Sequence, residues 1–147
     1  MPDYDDPEIE AQWCTERRKE VADYLRREGL AHGEISAEPA WHVAPYVSVW
    51  AVESMAAPGF TGWWAVSGDM PNDHVSASKA SNPRDAVRAI ASLWQEAAQY
   101  MARGEKHPTL RIGSGEQDEE LAPMLASRAE LLLEWVSDPQ AWEEDEA

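Results

Sequence analysis

The sequence predicts an α+β fold in which a small antiparallel sheet of two or three strands is packed by three helices, in the order α-β-β-(β)-α-α. Three observations carry this expectation. Apolar residues at helical spacing occupy the first and last parts of the chain, a β-branched and aromatic stretch occupies the middle, and clusters of Pro, Gly and Asn separate them. At 147 residues the chain has the size of one domain, so a single domain over 1–147 is expected, with acidic, flexible ends at about 1–6 and 138–147.

Asp6, Pro7 and Glu8 combine an N-cap, a first-turn proline and an acid near the positive end of a helix, and Gly29 supplies a stop, so the first helix should cover 7–28. Its apolar stripe takes in Ile9, Trp13, Val21, Tyr24 and Leu25, with Arg17 out of place between Trp13 and Val21. Residues 30–45 suit a loop with a short extended piece at Trp41–Val43. Two antiparallel strands follow, "YVSVWAVES" at 46–54 and "FTGWWAVS" at 60–67, joined by "MAAPG". After a turn at 68–73, a short third strand is expected at 74–78.

Asn82, Pro83 and Asp85 repeat the helix-start chemistry, and Val87, Ile90, Trp94, Ala97, Ala98 and Met101 then follow helical spacing up to Gly104. A loop is expected through 107–117. The final helix should run over 118–137, with Pro123 in its first turns and Arg128 on or beside its apolar stripe.

Composition narrows the function. With 44% apolar residues and eight tryptophans the chain is globular. A formal charge of -16 argues against nucleic acid and membrane surfaces, whose binders use lysine and arginine. Cys14 is the single cysteine, which excludes an intramolecular disulfide and a cysteine-based zinc cluster. The start has no secretory pattern and no apolar run reaches membrane-spanning length, so a cytoplasmic setting is expected.

From Trp41 to Ser67 the one formally charged residue is Glu53, and both alternating sets of each strand are apolar or aromatic. Such a sheet must be covered on two faces, by helices, another subunit or a ligand. Trp50, Val52, Trp64 and Val66 share one parity, Val49, Ala51, Trp63 and Ala65 the other. A lone acid there is either at a strand end or buried and paired, with Arg17 or Arg128 the natural partner. A buried network of Arg17, Glu53 and Asp69 would tie the first helix to the sheet, and breaking it would cost roughly 3–5 kcal/mol.

The stretch "GWWAVSGDMPNDHV" at 62–75 sets Asp69, Asp73 and His74 beside the most aromatic part of the chain. Gly, Asp, Pro and Asn are the residues of turns. They also suit a site rim, with two carboxylates and an imidazole next to Trp63 or Trp64. His32, His42, His74 and His107 are scattered, so no metal site is legible and none is expected, nor is a cofactor. Cys14 beside Arg17 and Arg18 reads as a small buried hydrophobe or as a nucleophile paired with His42 or His74.

With these residues in view, "WCTERR" at 13–18, "PAWHVAPYVSVWAVES" at 39–54, "GWWAVSGDMPNDHV" and "LAPMLASRAELLLEW" at 121–135 give a chain that resembles a family of small bacterial proteins catalogued as a domain of unknown function. The resemblance covers nearly all of the chain apart from the acidic ends. It implies a bacterial cytoplasmic protein and carries no catalytic residue.

The function expected is non-covalent binding of a protein partner, or homodimerisation, through an aromatic sheet surface. Trp63, Trp64, Arg17, Glu53 and His42 are the candidate binding residues, and Asp69 and Asp73 an acidic rim. The alternative is a small hydrolase-like or metal-assisted enzyme with Asp69, Asp73 and His74 as catalytic groups and Arg17 as an anion clamp. An enzyme requires these groups to converge in a concavity, whereas a binding protein presents them on a lip beside an apolar patch.

Overall fold

The computed structural model describes residues 3–105 and 118–142. By its internal contacts the chain divides into two compact units, Met1–Ala86 and Val87–Ala147, and the boundary falls in the first turn of a helix. The expected loop at 107–117, with His107, and the acidic stretch 143–147 lie outside the described residues. The fold is α+β, with three helices and a four-stranded antiparallel sheet.

Helix α1 spans Pro7–Arg27. The Asp6 carboxylate accepts the Glu8 amide at 2.9 Å, Pro7 opens the first turn where no amide is needed, and Glu8 and Glu10 face the positive helix end. At the other end the Gly29 and Leu30 amides bond the Arg26 and Leu25 carbonyls, a Schellman arrangement that Gly29 permits with a φ of 69°.

The sheet is a meander of β1 (Trp41–Val43), β2 (Val47–Glu53), β3 (Thr61–Gly68) and β4 (Met70–Ser76), in spatial order β1-β2-β3-β4. It has more strands than the two or three expected. The Trp41–Val43 piece pairs fully with β2, and an isolated bridge between Ile35 and Val52 extends pairing along the same edge. The expected turn at 68–73 is mostly strand. Only Asp69 separates β3 from β4, because Gly68 lets the Tyr46 carbonyl approach where any Cβ would collide with it. Pro71, Asn72 and Asp73 then lie in an edge strand, where a missing amide is tolerated.

The register decides which aromatics share a face. Trp50 opposes Ala65 and Val52 opposes Trp63, while Val49 opposes Val66 and Ala51 opposes Trp64. The even residues of β2 therefore sit with the odd residues of β3, reversing the grouping by residue number. Helix α1 covers the first set: Val21, Tyr24, Leu25, Ile35, Trp50, Val52 and Ala65 form one buried cluster, with Trp63 and Cys14 packed against it. On the other face Val47, Val49 and Val66 are also fully buried. Each large side chain buried in this way stabilises by roughly 1.5–3 kcal/mol.

Helix α2 begins at Pro83 and ends at Ala102. Asn82 caps it reciprocally with Asp85: Oδ1 accepts the Asp85 amide at 2.8 Å and Nδ2 donates to the Asp85 carboxylate at 3.1 Å. Val87, Ile90, Trp94, Ala97 and Met101 are buried at helical spacing. Helix α3 spans Asp118–Val136 with Pro123 inside it, and Leu125, Ala129, Leu132 and Val136 form its buried stripe. Residues Pro139–Trp142, placed by the sequence in a flexible tail, form a 3-10 turn whose Trp142 is buried and donates its indole N–H to the Trp135 carbonyl at 2.8 Å. Among the described residues no helix is long and apolar enough to cross a membrane.

Candidate interaction site

The residues expected to form a carboxylate and imidazole site are spread by the strand geometry. Asp69 is exposed in the one-residue connection, where its amide bonds the Tyr46 carbonyl at 2.9 Å. Asp73 lies four residues on, roughly 13 Å at strand rise, and is buried. His74, its neighbour in β4, points to the opposite face and meets α1, where its Nδ1 lies 2.7 Å from the Tyr24 hydroxyl. Among the described residues the three do not converge, and no three of His, Cys, Asp or Glu could hold a metal ion together.

Asp73 has a structural task that the sheet geometry explains. The Ala77 amide bonds the Gly62 carbonyl, which makes the odd positions of β4 the hydrogen-bonded ones and turns the His74 backbone outward at the sheet edge. Asp73 Oδ1 accepts that outward amide at 2.7 Å. Together with Pro71 it blunts the edge against pairing with another chain.

Arg17 and Glu53 are not partners. Arg17 lies 3.4 Å from Glu20 and 3.8 Å from Glu16, with its guanidinium 5.7 Å from the centre of the Trp13 ring. Arg18 instead ties α1 to the edge segment, donating to the Ser36 carbonyl at 2.9 Å and the Ile35 carbonyl at 2.8 Å. One residue of helical rotation separates the two arginines, which periodicity cannot resolve. His42 of β1 stacks on Trp13 at 6.2 Å and lies 3.6 Å from Glu10, so α1 is held by a histidine from each edge strand.

The adjacent tryptophans part company. Trp63 faces α1 half-buried, and Trp64 faces away, 8% exposed, with its indole N–H on the Ala80 carbonyl at 2.9 Å. Neither forms an open aromatic surface. Burial raises the Cys14 thiol, with Glu10 and Glu38 adding to the effect, so it is kept protonated and a nucleophilic role loses its basis. Burial likewise raises the Tyr24 phenol, reinforced by the Asp73 and Glu28 charges. The phenol thus keeps its proton, and its hydroxyl and His74 Nδ1 share the hydrogen bond.

The exposed apolar surface lies elsewhere, at the β2–β3 connection. Met55 is 62% exposed and Phe60 71%, and Ala56, Ala57, Pro58 and Gly59 between them are exposed as well. This tip is ordered by its own bonds: the Ser54 amide to the Phe60 carbonyl at 2.9 Å, the Phe60 amide to the Ala57 carbonyl at 3.1 Å, and the Ala57 amide to the Ser54 hydroxyl at 3.2 Å. Glu53 Oε2 accepts the Gly59 amide at 3.2 Å. In the sequence "MAAPG" reads as a turn, which hides the tip. The signal was present in Met55 and Phe60, two large apolar residues bracketing a turn without a polar side chain.

A concavity of about 720 Å³ lies between α2 and α3 and is lined by Ala98, Ala102, Pro123 and Ala126 with Gln95 and Gln99. It gathers no titratable cluster.

The fold and site therefore define a small α+β protein whose meander sheet is crossed by one helix and ends in an ordered apolar hairpin tip. The chain belongs to the family described as a domain of unknown function (DUF4826), whose model matches residues 8–142. No curated protein and no solved structure matches the chain.

Proposed function

We propose that this protein is a non-enzymatic interaction domain that docks on another protein through the β2–β3 tip. The observation that carries this reading is the ordered exposure of Met55 and Phe60. Isolated surface apolar residues need no explanation, but two large ones flanking an uncharged loop, held in place by hydrogen bonds, form a rigid apolar knob whose natural environment is a cleft. In this reading the apolar contact is made by the tip, and Asp69 lies at the other end of the sheet.

The test uses a photoreactive phenylalanine analogue at position 60 in cells, with the same analogue at position 79 as control. The expected result is a specific adduct with one protein from position 60 alone. The purified partner should then bind the Met55→Ser, Phe60→Ser variant about 100-fold more weakly, since two buried side chains are lost. No adduct, or unchanged affinity of the double variant, overturns the proposal.

A further inference from the structure

We infer that the partner of the tip is basic: a protein surface whose apolar cleft carries a lysine or arginine at its rim, placed to pair with Glu53. This rests on the tip being the docking element. The first support is the charge pattern. Between Arg27 and Lys79 the chain has no lysine or arginine, while Glu28, Glu34, Glu38, Glu53, Asp69 and Asp73 all fall in that span. The stretch that carries the tip is thus without a lysine or arginine of its own, and complementarity to Glu53 assigns a cation to the other side of the interface.

The second support is how Glu53 is held. It ends β2 at the base of the tip, half-buried, with one carboxylate oxygen on the Gly59 amide. Its backbone pairs with the 33–34 segment through the Gly33 amide at 2.8 Å and the Glu34 carbonyl at 2.9 Å. Gly33 leaves the space the carboxylate occupies, since a Cβ there would collide with Oε1. Among the described residues no lysine or arginine pairs with Glu53. A carboxylate fixed in place beside an apolar knob is already organised for a cation, so little conformational freedom is lost on pairing.

The closing experiment measures binding of the full chain to two synthetic amphipathic helical peptides with the same leucine and phenylalanine face, one flanked by arginines and the other by glutamates. The basic peptide should bind and its acidic twin should not. Glu53→Gln should weaken binding about tenfold, as should Gly33→Ala, which displaces the carboxylate without removing charge. Glu16→Gln on α1, an equal change of net charge, should leave it unchanged, and urea midpoints confirm that all variants fold. If Met55→Ser, Phe60→Ser abolishes binding while Glu53→Gln behaves like Glu16→Gln, the assignment of Glu53 falls and the docking tip stands. If none of the variants matters, attraction is bulk charge and both readings fall. If the basic peptide does not bind, the basic partner is overturned, and the photo-crosslinking result alone decides the tip.

Discussion

Two stretches of one nearly uncharged run meet opposite fates. Trp50 and Val52 are fully buried beneath α1, and Met55 and Phe60, only a few residues further on, stand 62% and 71% exposed. Both stretches are apolar, and hydropathy does not tell them apart. Pairing does: Trp50 and Val52 oppose β3 residues on the face that α1 covers, whereas residues past Glu53 have left the ladder and lie beyond the end of the sheet. An apolar side chain is core when a second layer reaches it and surface when none does.

The contrast can be broken in stages. The largest effect belongs to Trp50→Ala, expected to cost about 3–5 kcal/mol in urea unfolding, whereas Met55→Ser, Phe60→Ser should change stability by less than about 1 kcal/mol. Equal losses would mean that the tip is core. Next, Gly68→Ala should cost about 3 kcal/mol, because its Cβ would meet the Tyr46 carbonyl carbon and the Val47 Cα at 2.9 Å, and backbone gives little. At the tip Gly59, with open space around its Cβ position, is restrained only by its φ of 89°, and Gly59→Ala should cost about 1–2 kcal/mol.

The two arginines of α1 sharpen the comparison on the covered side. Arg18→Ala should cost about 2 kcal/mol, since two charge-assisted bonds to backbone carbonyls are lost. Arg17→Ala should cost about 1 kcal/mol or less, its acids being on the same helix and partly solvated. The reverse order would restore Arg17 as the anchor.

Tyr24→Phe should cost about 1 kcal/mol at neutral pH from the lost bond to His74. It also has a pH signature. The folded phenol binds its proton more tightly than the unfolded one, whose value is 10.0. Stability is thus indifferent to this group well below pH 10 and falls as pH rises above it. Alkaline urea titrations should show a shallower decline for Tyr24→Phe than for the parent, and identical slopes would remove the buried phenol as the cause.

Much of the helical framework was legible because capping chemistry is local. Asp6 with Pro7 and Asn82 with Asp85 mark their helix starts within a few residues, and Gly29 marks a stop. The site was less legible, because it depends on register and rotation. Asp69 and Asp73 share a parity and looked convergent, yet the chain between them is strand. Arg17 looked like the anchor, yet one step of helical rotation gives that place to Arg18. The α+β class, with one helix before the strands and two after them, and the lack of an intramolecular disulfide follow from residue type and short-range spacing, and the sequence by itself determined these. Tertiary structure alone decided that Trp63 and Trp64 face apart and that Met55 and Phe60 face water. Burial depends on which element lies opposite, a relation between residues distant in sequence that no local pattern encodes.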